Sequence, residues 1–388
     1  MDVAGLAQLQ RLLPQLQVHS EKVISLGQVK SSSQCSLEIT HQAFLPLPAM
    51  AFTRHRLRLE VADAVDQPLR LEAGFLSLGR WILTERNPAN ADLPSLTLLR
   101  RRALPGLRWS WWPWASHRNP WRQIPGSGRS RRPARLFEGS AHVLTSFNNP
   151  NWYHWLTLPG LGTLNAKSDV GRLILCDRNL PLKGNASSQL LERVATLART
   201  LTASGQVQLD RGPLQVQKLE ACFIENHTPL VCDAKALACL HQATLSLATG
   251  TGVAFSAEGI YLRRGPQARR PLFQESCLEQ ALRQRGFDVI DLETMPLSAC
   301  ITAFANARWV VAPHGAALTN LVFSKPGTRV LELLPGPLET FGHYALMSAA
   351  LGLRHSHIKG VPLAGGGFLV DQHRLLIWLD RALGETAP

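Results

Sequence analysis

From Gly139 onward, short apolar runs alternate with amphipathic stretches along the chain. The runs 172–176 and 309–312 are rich in β-branched and other apolar residues, as are strands buried inside a parallel sheet. Residues 188–203 instead place apolar side chains at helical spacing. Strands that alternate with helices in this way predict an α/β fold built on parallel sheets.

The same pattern predicts the individual elements of both halves. In the first half it predicts strands 142–145, 172–176, 207–209 and 218–224, helices beginning at 152 and 188, and a long helix over 233–248. After an expected linker at 250–255, it predicts strands 259–263, 287–290, 309–312 and 328–334, with helices over 274–285, over 296–306 and directly after residue 314.

The first part of the chain has a different character. Residues 51–85 are expected to be β-rich, because 55–61 alternates apolar and polar side chains and 69–72 continues the alternation. We therefore expect an N-terminal β-rich extension ahead of the α/β part.

A basic and aromatic segment follows at residues 100–137. It contains no Asp or Glu, and five of the ten tryptophans lie in it among many arginines. It could be a surface loop whose tryptophans pack back on the domain, or it could lie on an anionic membrane or a lipid-linked acceptor. Stacking on nucleic acid is a third reading. We expect it least, because no recognised nucleic-acid module accompanies the segment.

Length and charge give only a coarse indication of the number of domains and the class of binding partner. A chain of 388 residues with 45% hydrophobic residues is expected to form two domains. The formal net charge of +13 favours anionic partners. Nucleotide diphosphates, acidic glycans, phospholipid headgroups and nucleic acid all qualify, and charge alone does not choose among them.

The cysteines and the N-terminus bear on location. Seven cysteines are scattered without a Cys-x-x-Cys pair, which argues against a zinc site or a disulfide scaffold and fits reduced thiols. The first residues lack a basic leader, and no apolar run has the length of a spanning helix. We expect a cytoplasmic protein that can bind peripherally to the inner face of the membrane.

The richest stretch surrounds His314. The strand 309–312 is ended by Pro313 and Gly315, and small residues Ala316 and Ala317 then open a helix. Small residues let a ligand approach the backbone, and the first turn of a helix has amide N–H groups without internal partners. Such an end attracts phosphate.

Further polar residues accompany this loop. His314 can donate to a diphosphate, and Thr319 and Asn320 offer additional polar contacts. Glu332, near the end of the next strand, could accept from ribose hydroxyls, since ligands of open α/β sheets bind at the carboxyl ends of strands. A plain βαβ unit with a tight turn would show the same pattern.

The residue identities go beyond the pattern. The stretch 314–320, which reads His-Gly-Ala-Ala-Leu-Thr-Asn, resembles the signature of glycosyltransferase family 61, and so do Phe323, 326–327 and 330–333 downstream. Further similarity to the family lies at 151–156, 260–264, Arg269, Arg270, Glu275, 286–290 and 368–379. The resemblance covers about residues 140 to 384.

The resemblance implies a fold and its domain boundaries. Family members are expected to have two Rossmann-like domains that face a cleft, the arrangement called GT-B. Applied to this chain, it gives an extension at 1–138, an acceptor domain at 139–249, a donor domain at 250–366 and a final strand and helix at 367–388.

The resemblance also implies an activity. We expect an inverting transfer of a sugar from a nucleotide diphosphate donor, a UDP-sugar, to a glycan or lipid-linked acceptor in surface polysaccharide (capsule) biosynthesis. No metal or other cofactor is expected, and the sequence has no Asp-x-Asp motif. A non-catalytic nucleotide- or glycan-binding relative is the alternative, and a basic nucleic-acid-binding protein is a weaker one.

Roles follow residue by residue from the resemblance. For the donor, we expect Arg264 and Arg263 to bind the diphosphate, because guanidinium groups suit its geometry. The other expected donor-binding residues are His314, Gly315, Ala316, Ala317, Thr319, Asn320 and Glu332.

On the acceptor side, His154 is the candidate general base, because imidazole titrates near neutral pH. Asn151, Tyr153 and Trp155 are expected to bind the acceptor. The chain departs from its relatives at 157–160, which reads Thr-Leu-Pro-Gly and lacks their acidic residue and arginine.

Overall fold

The computed structural model describes residues 259–384, except 266–267, 269, 339–341 and 365. Before residue 259 it describes only the strands and helices given next, with residues 201, 206 and 255. The strands are β1 (Leu16–Ser25), β2 (Val29–Ser31), β3 (Ile39–His41), β4 (Phe44–Pro46), β5 (Met50–Glu60), β6 (Leu69–Glu72), β7 (Phe75–Leu78), β8 (Trp81–Arg86), β9 (Ser95–Arg100), β10 (Arg135–Leu144), β11 (Gly171–Leu175), β12 (Val207–Asp210), β13 (Leu214–Ile224), β14 (Gly259–Leu262), β15 (Phe287–Ile290), β16 (Trp309–Pro313), β17 (Arg329–Pro335), β18 (Arg354–Pro362) and β19 (Phe368–Leu369).

The helices complete the set. They are α1 (Trp152–Leu156), α2 (Asn185–Thr200), α3 (Ala234–Ala248), α4 (Glu275–Arg283), α5 (Leu297–Asn306), α6 (His343–Ala350) and α7 (Gln372–Gly384), with 3-10 helices at Ala316–Phe323 and Gly336–Leu338. None of the helices in the described ranges combines the length and the apolar character needed to span a bilayer.

Contacts divide the chain into two compact units. The first contains residues 1–25 and 51–229, and the second contains residues 26–50 and 230–388. Helix α3, which the predicted boundaries put in the acceptor domain, packs in the second unit. The predicted boundaries themselves stay a prediction.

The first unit contains a mixed sheet. Strands β12, β11, β10 and β13 lie side by side in that order and are parallel, as the alternation of strands and helices predicted. Strands β5 and β6 pair with β13 in antiparallel fashion, and β7, β8 and β9 follow outward from β6. Strands β1 and β5 to β9 of the predicted extension therefore share one sheet with those of the predicted acceptor domain, whereas β2 and β4 pair with each other.

The second unit is an α/β domain with a mostly parallel six-stranded sheet. Its strand order is β15-β14-β16-β17-β18-β19. Strands β14 to β18 are parallel, β19 is antiparallel to β18, and β3 also pairs with β18 in antiparallel fashion. The parallel strands carry buried residues on both faces, as expected for a sheet covered by helices on both sides.

The two faces of this sheet differ in chemistry. One face contributes Tyr261, Val311 and Leu331 to an apolar core completed by Leu278 of α4 and Leu379 of α7. On the other face lie α5, α6, α3 and the 3-10 helix Ala316–Phe323, which contact one another, and α6 also contacts β18.

That second face also carries polar groups. Side chains alternate along a strand, so Glu332 of β17 and its register partner His357 of β18 point the same way. Both are fully buried, and Lys359 of β18 is nearly so. The layer between the sheet and α6 is therefore a buried polar cluster.

Most predicted elements of the second unit are confirmed. Strands β14 to β17 and helices α4 and α5 lie where the hydrophobic pattern put them. The helix predicted after residue 314 is a 3-10 helix, in which each amide donates to the carbonyl three residues earlier. Helix α6 and strand β18 were not predicted. The second Rossmann-like domain and the GT-B cleft stay predictions.

Some expectations fall outside the described residues. These are the N-terminal residues 1–15, most of the basic segment, 101–134, and the linker at 249–254. The departure at 157–160 also lies outside them.

Candidate functional site

The C-terminal end of β14 is fixed by one carboxylate. Glu275, the first residue of α4, accepts hydrogen bonds from the backbone N–H groups of Arg264 (2.8 Å) and Gly265 (2.9 Å) and from the hydroxyl of Tyr261 (2.8 Å). The preceding residue, Gln274, has a left-handed conformation with φ 56°. Because three donors converge on Glu275, the backbone that carries Arg264 is held firmly.

The guanidinium of Arg264 lies across the loop that follows β16. Nη1 donates to the carbonyl of His314, and a Cβ placed on Gly315 would lie 2.7 Å from the same nitrogen. Burial and the neighbouring charge of Arg270 lower the pKa of Arg264. An arginine nevertheless keeps its proton in a protein. Glycine at 315 is needed here for space, since its φ of 171° is extended backbone that any residue adopts.

The charge of Arg264 is not neutralised by a direct carboxylate partner. Its guanidinium bonds a carbonyl, its Nε is buried without a hydrogen-bond partner, and among the described residues no Asp or Glu forms an ion pair with it. Buried charges are ordinarily paired. The guanidinium of Arg264 is therefore a largely covered positive charge that has no ion-pair partner among the described residues.

The loop offers backbone donors beside this charge. Residues Gly315, Ala316 and Ala317 are partly exposed, whereas the 3-10 helix is buried from Leu318 onward. The first internal bond of that helix runs from the amide of Leu318 to the carbonyl of Gly315. The amides of Ala316 and Ala317 precede it and are not used within the helix.

Packing holds the 3-10 helix in place. Leu318, Leu321 and Val322 are fully buried, and Nδ1 of His241 on α3 lies 2.8 Å from the carbonyl oxygen of Val322. The position of the loop is therefore set by α3 and the core.

Two predicted donor-binding residues of the helix are inside the protein. Thr319 is fully buried. Asn320 is 2% exposed, its Nδ2 donates to the carbonyl of Ala317 (2.8 Å), and the Cys300 thiol lies 3.5 Å from its Oδ1. In the structure, Asn320 braces the loop from within.

His314 forms the start of a buried hydrogen-bond chain. Its Nδ1 lies 2.5 Å from Oε1 of Glu332, and its backbone N–H donates to Leu333 (2.9 Å). The second oxygen of Glu332 lies 3.1 Å from Nε2 of His355. Burial by itself would raise the pKa of Glu332, but hydrogen bonds from His314 and His355 outweigh it and hold the pKa well below the ordinary value.

This geometry changes the role expected of Glu332. The carboxylate is fully buried and both of its oxygens are bonded to histidines. The predicted direct contact with a ribose does not agree with that position. The carboxylate instead lies inside the protein, in contact with the rings of His314 and His355.

Three residues around His314 and Glu332 were not predicted from the sequence. His355 lies on β18 and its Nδ1 is 3.2 Å from Oγ of Ser348 on α6. Tyr344, also on α6, packs edge-to-face on His314 with ring centroids 5.3 Å apart. Burial raises the pKa of Tyr344, and so does the charge of Glu332. The alternation of His355, Ser356 and His357 fits a strand. Its side chains are polar, however, and a buried strand is recognised in a sequence by apolar residues.

Arg263 points to the other side of the sheet from Arg264. Its Nε and Nη2 donate to the two oxygens of Glu279 on α4, at 2.7 and 2.6 Å, and Arg283 also donates to Glu279. The hydrogen bonds to Glu279 raise the pKa of Arg263. Unlike Arg264, it already has a carboxylate partner.

The predicted acceptor residues are described only in part. Asn151 lies outside the described residues, and for His154 and Trp155 only the helical backbone of α1 is described. Tyr153 is half-buried on the same helix. Their predicted roles stay predictions.

The arrangement around Arg264 is suited to an anion that can reach a cation and backbone amides together. A phosphate group binds both kinds of donor. In the part of the chain that the structure describes, no cluster of three or more His, Cys, Asp or Glu side chains could hold a metal ion.

Comparison with known proteins supplies the family. The model of the family described as Glycosyltransferase 61 matches residues 120–331 of this chain. The matched range includes β14, Arg264 and the whole loop from His314 to Ala317. A search of the curated proteins gave no match to the chain.

Proposed function

The chain belongs to glycosyltransferase family 61 and is therefore a transferase of glycosyl groups, and we propose that its donor is a nucleotide diphosphate sugar bound at the second unit. The observation that supports this donor most strongly is the unneutralised guanidinium of Arg264, held against Gly315 at the mouth of the 314–317 loop. A diphosphate supplies the anion that this site lacks.

The described residues suggest how the diphosphate is bound. Arg264 and Arg270 provide the charge, and the amides of Ala316 and Ala317 provide directed donors. Hydrogen bonds in which the donor or the acceptor is ionised are about twice as strong as neutral ones. His314, beside the loop, can add a further contact.

The same contacts serve the reaction. In a direct displacement, the acceptor hydroxyl oxygen attacks the anomeric carbon while the bond from that carbon to the diphosphate oxygen breaks. The leaving diphosphate gains negative charge, and donors already in place at Arg264 and the loop stabilise it. The acceptor proton passes to a general base, for which His154 is our candidate.

The finer assignments extend the resemblance. We propose inversion at the anomeric carbon, a UDP-sugar as donor, and a glycan or lipid-linked alcohol as acceptor in surface polysaccharide synthesis. Because Arg264 and the loop amides carry the charge of the leaving group, we also propose that the transfer does not require a metal.

A donor panel tests the proposal. The purified full chain is incubated with nucleotide sugars that differ in base and sugar, with and without EDTA, and release of nucleoside diphosphate is measured. Arg264→Ala is expected to lower the rate about 100-fold, the scale of losing one donor to a developing anion.

Arg381→Ala is the matched control, because it removes the same charge from an exposed position on α7. Release by Arg264→Ala at the wild-type rate would contradict the proposal, and so would binding of a nucleoside diphosphate without its release from any donor.

A further inference from the structure

The buried face of the second sheet carries a continuous chain of hydrogen-bonding side chains, Ser348, His355, Glu332 and His314. We propose that His355 and Ser348 are positioning residues that act through Glu332. They hold His314 with a proton on Nδ1, so that the second proton, which the ring takes up when the donor binds, lies on Nε2 and is donated to the diphosphate. This inference rests on the proposed donor site.

The central group of the chain is Glu332. It has no exposed surface, and each of its oxygens has a histidine nitrogen within hydrogen-bond distance. An ionised carboxylate accepts and does not donate. Nδ1 of His314 and Nε2 of His355 must therefore both carry protons.

The consequence for His314 is a single tautomer. A neutral imidazole has one N–H, so a proton fixed on Nδ1 leaves Nε2 as a lone pair. When the ring takes up a second proton, that proton lies on Nε2 and can be donated to a phosphate oxygen. Nε2 has no hydrogen-bond partner among the described residues, and the side chain keeps 7% of its surface exposed.

His355 completes the arrangement from the far side. With its proton on Nε2, its Nδ1 can accept from the hydroxyl of Ser348, which is fully buried on α6. The three elements β17, β18 and α6 thus each supply one member. Removing His355 would leave one buried carboxylate oxygen without a donor, which is costly.

Such a loss would reach His314. A buried carboxylate that loses a donor binds a proton more readily. Once protonated, Glu332 can donate to Nδ1 of His314, and the histidine proton then moves to Nε2. The substitution at residue 355 would therefore be visible at residue 314, although the two histidines do not bond each other.

The test is the tautomer of His314 by long-range ¹H–¹⁵N NMR of histidine-labelled full chain without substrate. The signal is assigned by its loss in His314→Gln. In the wild type we expect the proton on Nδ1. In His355→Leu the Nε2–H form is expected to appear, and in His355→Gln, whose amide can still donate to Glu332, the wild-type pattern is expected to return.

The affinity of the same variants for UDP is the second measurement. In His355→Leu a protonated Glu332 no longer supports a positive charge on His314, so Nε2–H meets the phosphate as a neutral donor. UDP binding is therefore expected to weaken about tenfold, because the ring charge is lost, with recovery in His355→Gln. His373→Asn, on the exposed side of α7, is the control for loss of a histidine and is expected to match the wild type in both measurements.

The outcomes separate this inference from the donor site itself. A wild-type His314 with its proton on Nε2 would overturn the inference, and so would His355→Leu and His355→Gln that differ in thermal stability but not in tautomer. A wild type that shows the expected tautomer but binds no nucleoside diphosphate would overturn the proposed function.

Discussion

Arg264 and Gly315 share one space: a methyl group on Gly315 would lie 2.7 Å from Nη1 of Arg264, closer than real contacts of a Cβ allow. The glycine of the loop is therefore what lets the guanidinium lie across it. Since the backbone at Gly315 is extended, alanine would fit the main chain and would act on the arginine alone.

Gly315→Ala is predicted to move the guanidinium of Arg264 without unfolding the domain. The side chain is flexible at its end, so it can shift, but it then loses its bond to the His314 carbonyl. We expect donor affinity to fall about tenfold, the scale of one charge-assisted hydrogen bond, with little change in Tm. Isothermal titration and a thermal melt measure the two quantities.

Gly384→Ala is the control for that substitution. Its Cβ would meet nothing within 4 Å, so affinity should not change, and Tm should stay the same or rise slightly because alanine favours the helix. A Gly315→Ala protein with wild-type affinity would show that the guanidinium does not need its observed position.

Glu275 is predicted to be a stabilising and positioning residue. Glu275→Ala leaves the amides of Arg264 and Gly265 and the hydroxyl of Tyr261 without their acceptor. The free energy of unfolding should fall by about 1–3 kcal/mol, the usual cost of unsatisfied buried groups, and donor binding should weaken with it.

Urea denaturation and nucleotide titration measure these effects. Glu293→Ala, an exposed carboxylate of the same domain, should change neither. Unchanged stability in Glu275→Ala would mean that the three bonds contribute nothing net.

Arg263 and Arg264 are predicted to differ in function although they are neighbours in sequence. Arg263 is bonded to Glu279 on the other face of the sheet, and its side chain is 43% exposed. Arg263→Ala should lower the free energy of unfolding by about 1–3 kcal/mol, because Glu279 is buried but keeps Arg283 as a partner, and should leave donor affinity unchanged. A loss of affinity equal to that of Arg264→Ala would return Arg263 to the donor site.

The stability of the domain is predicted to fall on acidification from about pH 6.5. Burial is the main reason that the pKa of His357 is lowered from 6.5 to about 4, so the folded protein keeps this ring neutral. Between those values the unfolded chain binds more protons than the folded one, which costs on the order of 3 kcal/mol by pH 4. Stability is therefore fully present above pH 6.5.

The pH dependence of Tm tests this sign. His357→Asn should flatten the decline between pH 6.5 and 4, whereas His373→Asn on exposed α7 should not. The pKa of Glu332 is also depressed, so its contribution is present above about pH 4.3 and is lost below that value. A decline that begins only below pH 4.3 would contradict the role given to His357.

Strands β16 and β17 could be predicted because they are buried and consist almost entirely of apolar residues. Trp309 to Ala312 and Val330 to Leu334 are nearly continuous apolar runs ended by proline or glycine. The sequence assigned Gly315 and Arg264 to the same site, and the two residues do lie against each other in the structure, while their role in donor binding stays a prediction.

Strand β18 could not be predicted in this way. His355, His357 and Lys359 are buried because Glu332 and α6 face them, and such pairing across the sheet leaves no trace in local hydropathy. The same contacts explain why Glu332 is buried. From the sequence we expected it at the carboxyl end of its strand, in contact with a ligand, but in the structure it lies inside the protein. Whether such polar residues are buried depends on which residues of a neighbouring strand or helix face them, and the local composition does not show this.

The central claim is that Arg264 binds a diphosphate, and calorimetric titration with UDP and UMP tests it most directly. The wild type should bind UDP more tightly than UMP by about tenfold or more, because the second phosphate meets a charged donor. Arg264→Ala should lose most of that preference, whereas Arg381→Ala should retain it. If Arg264→Ala keeps the wild-type preference for UDP, the diphosphate does not bind at Arg264.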